Sequence, residues 1–183
     1  ISDFRIQEVQ KAGAIFDPSK LDWINNHHLA ALSFDEFKRR LIPFLDKLGL
    51  NYSQKKNANE IIAAMRSSKP NFLGVAKDLI PYFSELNSYD EKAANKFLIG
   101  SEAVLEFVQR KLNGIEQWNE NSIDNALKEA QTALSLSTPK LNQPIRIAMT
   151  GSTQSPSLGL TLSLFTPDEV NYRINAALEY LDN

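Results

Sequence analysis

The stretch SFDEFKRRLIPFLDKLG, residues 33–49, decides the fold class. Ser33 followed three residues later by Glu36 is a capping box, in which each side chain satisfies backbone donors that a helix start leaves open. Behind it Phe34, Phe37, Leu41, Phe44, Leu45 and Leu48 recur at the spacing of one helical face. Gly49 then closes the run, because only glycine enters the left-handed cap without a steric cost. Pro43 lies inside the run and is expected to kink the helix, since its ring crowds the carbonyl four residues back.

The same punctuation recurs outward from this helix. Asp17-Pro18 reads as an N-cap with proline at the first helical position, leading into Lys20, Leu21 and Ile24. Asn57 with Glu60 opens a helix carrying Ile61, Ile62, Ala64 and Met65, which Ser67-Ser68-Lys69-Pro70 ends. Asn71 caps the next, with Phe72, Val75, Ala76, Leu79 and Ile80 expected inward and Pro81 near its end. Ser88 and Glu91 form another expected capping box, with an interruption near Gly100 before Val104, Leu105, Phe107 and Val108 carry the stripe to Asn113-Gly114. Asn121 or Ser122 is expected to start the following helix. Thr166, Pro167 and Glu169 open the last, with Val170, Ile174, Ala177, Leu178 and Leu181 on one face. Strand-rich blocks, fixed-period repeats and low-complexity tracts are missing. The fold class is therefore all-α, in two consecutive helical bundles, and the polar stretch Ser84–Tyr89 is the expected seam between them.

Composition narrows the function. The 183 residues include no cysteine, which removes disulfides, thiolate metal sites and a cysteine nucleophile. His27 and His28 are adjacent, so on a helix they point about 100° apart and cannot chelate one ion together. The glycines are isolated, so no phosphate-binding loop is present. Asp35-Glu36 and Asp168-Glu169 fall in first helical turns, where negative charge complements the helix dipole, and read as helix starts rather than acid–base pairs. With no Ser-His or Cys-His arrangement either, the chain is expected to catalyse nothing. A net charge of −2 gives no bulk attraction for nucleic acid, so any such contact has to use local basic groups. Lys38-Arg39-Arg40 reads as a solvated helix face and Lys55-Lys56 as a loop. No apolar run approaches the roughly 18 residues needed to cross a bilayer, and no signal-peptide pattern opens the chain. A soluble, cytoplasmic monomer is expected. The opening residue, Ile1, suggests a piece of something longer.

Two places suggest binding. Lys20 and Trp23 lie three apart and share a helix face, where an ammonium beside an indole can hold a phosphate and cover a base. Trp23 reads equally well as core. The second place is QPIRIAMTGSTQSPSL, residues 143–158. Pro144 suits the first position of a short helix, Gly151 its left-handed end, and Arg146 is the only charge between them. Ser155-Pro156 restarts the chain in a turn. An arginine on an apolar helix, beside a loop of small polar residues, is suited to a few specific contacts with a partner.

That string resembles the last helical domain of bacterial glutamyl-tRNA synthetases, with its Pro-Leu/Ile-Arg, Ala-Leu/Met-Thr-Gly and Ser/Thr-Pro-x-Leu elements. Phe16-Asp17-Pro18-Ser19-Lys20-Leu21-Asp22-Trp23-Ile24-Asn25 is similar to the family's Phe-Asp-x-x-Lys-Leu-x-Trp-Met-Asn segment. The likeness continues through Pro43-Phe44-Leu45, Gly49-Leu50, Lys69-Pro70-Asn71-Phe72 and Glu91-Lys92-Ala93, in family order. The resemblance implies the anticodon-binding region of a class I enzyme that joins glutamate to tRNA with ATP and magnesium. The nucleotide-binding fold would lie upstream, and this piece would need no cofactor. The implied layout is a remnant of the stem-contact region at 1–15, one helical subdomain at 16–86 and a second at 87–183. Position by position, the resemblance implies tRNA contacts at Lys20, Trp23, Lys69, Asn71, Arg146, Ser155, Pro156 and Leu158. Asn71 stands where some relatives carry an arginine that reads the first anticodon base, which would let the parent accept glutamine tRNA beside glutamate tRNA. Asn26 replaces a usual glycine, and Ser157-Leu158-Gly159 replaces Gly-Leu-Phe, which changes the expected loop shape. The competing expectation is a helical protein-interaction scaffold. Salt-dependent tRNA binding separates the two, because phosphate contacts release counterions and apolar grooves do not.

Overall fold

The computed structural model describes residues 16–182; residues 1–15, with the expected stem-contact remnant, and Asn183 lie outside the described residues. Every regular element among the described residues is helical. The order is α1 (Pro18–Ala31), α2 (Phe34–Lys47), α3 (Ala58–Met65), α4 (Phe72–Asp78), α5 (Ile80–Phe83), α6 (Glu91–Ala93), α7 (Glu102–Asn113), α8 (Glu120–Ala133), α9 (Thr138–Thr150), α10 (Leu158–Ser163) and α11 (Pro167–Asp182).

Most helix starts form as the side chains dictate. Asp17 accepts from Ser19 N and Lys20 N at the head of α1. Ser33 caps α2 through Glu36 N, and α2 runs on through Pro43 to Lys47. The reciprocal half of that box is absent, because the Glu36 carboxylate turns to Arg39 and Arg40 instead. Those two guanidiniums pull its pKa down to about 2. Lys38 in turn donates to Asn59, so the densest basic run is largely tied up within the first bundle. Thr166 and Glu169 make the complete box at α11: each backbone N–H is taken by the other's side chain.

Three expectations on element boundaries and one on burial are corrected. Pro144 does not start a helix. Helix α9 begins six residues earlier at Thr138, with Pro139 in its first turn, because burying Leu141 together with Ile145 and Ala148 extends the apolar face backwards. Pro144 then sits inside the helix and withholds one hydrogen bond from the carbonyl of Lys140, an exposed residue. Asp90, not Ser88, caps α6, accepting from Ala93 N at 2.8 Å. Asn119 caps α8 through Ser122 N, two residues before the expected start. Ile80 is 38% exposed, because the short α5 starts there and turns it outward. The expected interruption near Gly100 is a π-helical turn over Ala94–Leu98, followed by Gly100 at φ +79.

Helices α2 and α4 pack together in the first half, and α7, α8, α9, α10 and α11 in the second, with the α6 extension against α9. Ser84–Tyr89 is free of helix, yet the buried residues form one continuous core on both sides of it. Tyr82 stacks on Phe165 with ring centres 5.0 Å apart, Asn57 donates to Leu164 O, and Lys55 bonds Glu169 at 2.9 Å. Lys55 is therefore not merely a loop lysine; it joins the two halves, lying 5.0 Å from the Phe165 ring centre.

Candidate nucleic-acid interface at the seam

The C-terminus of α9 builds one wall of the site. Gly151 ends the helix at φ +73, and a side chain there would also press within 3.0 Å of the Ser88 carbonyl oxygen. Its own carbonyl accepts from Asp90 N at 2.8 Å, so this glycine stitches the end of α9 to the seam. The chain then passes through the polar loop Ser152–Ser157 into α10.

Arg146 shapes that loop. One of its terminal nitrogens, Nη1, donates to the carbonyls of Ser155, at 2.9 Å, and Pro156, at 2.6 Å, and to Ser155 Oγ. Ser155 Oγ also meets Thr161 Oγ1 at 2.9 Å, which fastens the loop to the buried face of α10. The Arg146 side chain is half-buried, and burial lowers its pKa from the ordinary arginine value. Its Nε is buried without a partner, and Nη2 makes no hydrogen bond among the described residues. The guanidinium thus holds its own loop with one nitrogen and keeps the other two, Nη2 and the buried Nε, unpaired. That is a more structural part than the sequence suggested.

The other wall comes from the turn between α3 and α4. Lys69 Nζ lies 3.4 Å from Gln154 Oε1 and 3.7 Å from Asp78, so it reaches across to the Arg146-held loop. Ser67, Ser68, Lys69, Gln154, Ser155 and Pro156 line a groove of about 390 Å³ between the two walls. Asn71, just beyond Pro70, is exposed and caps α4 by accepting from Gly74 N at 2.8 Å. It lines a second recess, of about 480 Å³, with Asn25, His28 and Arg40.

The sequence-derived residues thus divide by place. Lys69, Ser155 and Pro156 meet in the groove, with Arg146 supporting it, and Asn71 stands beside it. Leu158 is only 4% exposed and packs into the core, so its side chain offers nothing to a partner. Gly159 lets the Asp124 carboxylate approach α10, where a Cβ would run into it. Trp23 is 69% exposed, which removes the core reading; His27 stacks on it at 6.0 Å. Lys20 and Trp23 line neither recess, although the last turns of the same helix, through Asn25 and His28, do.

Sequence reading missed Gln154 and Ser68 in the groove, and Arg173 and Phe165 behind it. Arg173 carried one legible signal: it follows Val170 by three residues and precedes Ala177 by four, which puts a cation on the apolar face of α11. Among the described residues no three His, Asp or Glu side chains gather as a metal site, and no helix is long and apolar enough to cross a membrane.

Comparison with known proteins places the chain among relatives. Residues 36–178 match the family model described as an anticodon binding domain. Glutamate–tRNA ligase 2 of Halorhodospira halophila is 30% identical over 179 residues, which are 97% of this chain and 38% of the relative. Glutamate–tRNA ligase of Myxococcus xanthus is 32% identical over 177 residues, 96% of this chain and 37% of that protein. The chain therefore spans well under half the length of these relatives. Among solved structures, a glutamate tRNA ligase from Elizabethkingia meningosepticum in complex with its amino acid superposes with a TM-score of 0.81. It is 23% identical and covers 97% of this chain and 35% of its own, a likeness that shows the shared helical fold. With a family model that matches most of its length, this chain belongs to the anticodon-binding domain family.

Proposed function

We propose that the chain recognises the anticodon loop of tRNA as the C-terminal part of a glutamate–tRNA ligase. The observation that carries this reading is the groove in which Lys69, from one half of the chain, faces the Arg146-held loop of the other. A single-stranded loop has splayed bases with open edges, and small polar groups with an unpaired guanidinium nitrogen suit those edges. Lys20, beside the exposed Trp23, suits a phosphate and a base face. Ser155 and Pro156 form the rim, where Arg146 and Thr161 hold their carbonyls and the Ser155 hydroxyl in place, and Leu158 acts only by anchoring the loop to the core.

The names of the relatives support glutamate as the amino acid, and their greater length supports a catalytic region outside this chain. ATP and magnesium then belong to that region, and the 183-residue chain charges no tRNA by itself. The layout that fits is a stem-contact remnant at 1–15 and helical subdomains at 16–86 and 87–183, in a cytoplasmic monomer. Asn71 is short, and its Oδ1 is occupied as a helix cap. It therefore reads its anticodon base loosely, so that glutamine tRNA is accepted beside glutamate tRNA.

The test is equilibrium binding of the chain to both tRNAs across a salt series. Log K is expected to fall linearly with log salt, with a slope of about −2 to −4 for three or four phosphate contacts, and the two affinities are expected to agree within threefold. A slope near zero contradicts tRNA recognition, and strict preference for one tRNA contradicts the role given to Asn71.

A further inference from the structure

Arg173 is a cation held 8% exposed in α11, and its hydrogen bonds go to carbonyls rather than to a carboxylate. Nη1 donates to Met149 O in the last turn of α9. Nη2 donates to Pro81 O at 2.5 Å and to Ser84 O at 3.0 Å, at the end of α5. The guanidinium also lies 4.7 Å from the Phe165 ring centre, and that ring stacks on Tyr82. The carbonyls at helix C-termini are left unpaired and carry partial negative charge, which, with the Glu169 carboxylate one turn earlier, makes a buried arginine tolerable there. Burial still pushes its pKa below the ordinary arginine value.

Its three acceptors come from two segments, the last turn of α9 and the end of α5. Met149 is two residues from Gly151, where the Ser152–Ser157 loop departs; Pro81 and Ser84 close the half that carries Lys69. We propose that Arg173 is a positioning residue that fixes the angle between the two halves of the fold and so holds the Gln154–Pro156 loop opposite Lys69. The part of this that concerns tRNA rests on the function proposed above; the part that concerns geometry does not. Of the neighbouring links, Asn57 to Leu164 O joins two segments and Lys55 bonds both Tyr82 O and Glu169; Arg173 differs in tying the last turn of α9 to the end of α5. A lysine at 173 could reach one carbonyl but not three, because it lacks the planar fork.

The chain has no cysteine, so Lys47→Cys in α2 with Lys128→Cys in α8 gives two exposed spin-label sites without background. The wild-type arginine is expected to give one narrow inter-label distance distribution. Arg173→Met is expected at least to double its width while helix content by circular dichroism is kept, and Arg173→Lys to fall between. In the same proteins, tRNA affinity is expected to drop about tenfold in Arg173→Met, as for two sites coupled through an interface. Joining Lys55→Cys to Glu169→Cys by a short bis-maleimide is expected to restore most of that loss, a rescue that a purely local stability defect would not show. An unchanged distance distribution overturns the proposal whatever tRNA does. A broadened distribution with unchanged tRNA affinity also overturns it, because the orientation then does not serve the groove. If the wild-type chain binds no tRNA, the functional reading fails and the distances alone decide the role of Arg173. Should Arg173→Met not fold, Arg173→Lys and Arg173→Gln carry the same comparison.

Discussion

Phe165→Ala is expected to lower the stability of the chain by about 3–5 kcal/mol, which corresponds to a fall in Tm of about 6–20 °C. The ring is 2% exposed and fills the space where the two halves meet. Tyr82 stacks on it, and Lys55 and Arg173 lie 5.0 and 4.7 Å from its centre. Trp118 Nε1 donates to its carbonyl at 2.8 Å, so the backbone cannot collapse to refill the gap. Truncation therefore removes apolar burial and also leaves two cations without the ring face that attracts them. Urea denaturation of wild type and variant measures it. A loss below about 1 kcal/mol would show that the seam repacks freely, contrary to the continuous core.

Phe165 also marks where sequence reading stopped. Many residues whose partners lie within four positions were legible: the N-caps Asp17, Ser33 and Asn71, with Gly49, Gly151 and the Thr166–Glu169 box, act as their spacing requires. The caps of α6 and α8, by contrast, were each misplaced by two residues. The candidate loop was legible as well, because Arg146 and Ser155-Pro156 stand in one short string. What spacing cannot encode is a partner far along the chain. The Arg173 bond to Pro81 O spans 92 positions, and that of Lys69 to Gln154 spans 85. The start of α9 was misplaced for a related reason. Pro144 is a strong local signal for a helix start, and only the burial of Leu141 in the folded core outweighs it. Trp23 was ambiguous because exposure depends on what the rest of the chain leaves uncovered.

Arg146→Ala is expected to weaken binding to tRNA by about 1–3 kcal/mol, between about fivefold and about 150-fold, with the loss concentrated at one anticodon position. Two causes act together. The Ser155 and Pro156 carbonyls lose the Nη1 donor that sets the loop, and the unpaired Nη2 is no longer there for a base edge. Arg146→Lys separates them: an ammonium can still reach the loop carbonyls but lacks the second nitrogen, so it is expected to keep overall affinity and lose the base preference. Lys20→Ala is the contrasting case. As a phosphate contact it should weaken every tRNA alike and reduce the salt slope by about 1. Equal losses for Arg146→Ala on every anticodon sequence would assign it to loop support alone.

The most direct measurement is the affinity of the unmodified chain for the isolated anticodon stem-loop of glutamate tRNA, compared at one salt concentration with stem-loops altered at each anticodon base. If the seam groove reads the anticodon, the parent stem-loop binds measurably by itself, and at least one altered base lowers the affinity about tenfold, in keeping with the cost of a lost base contact. Equal affinity for every stem-loop would contradict the account.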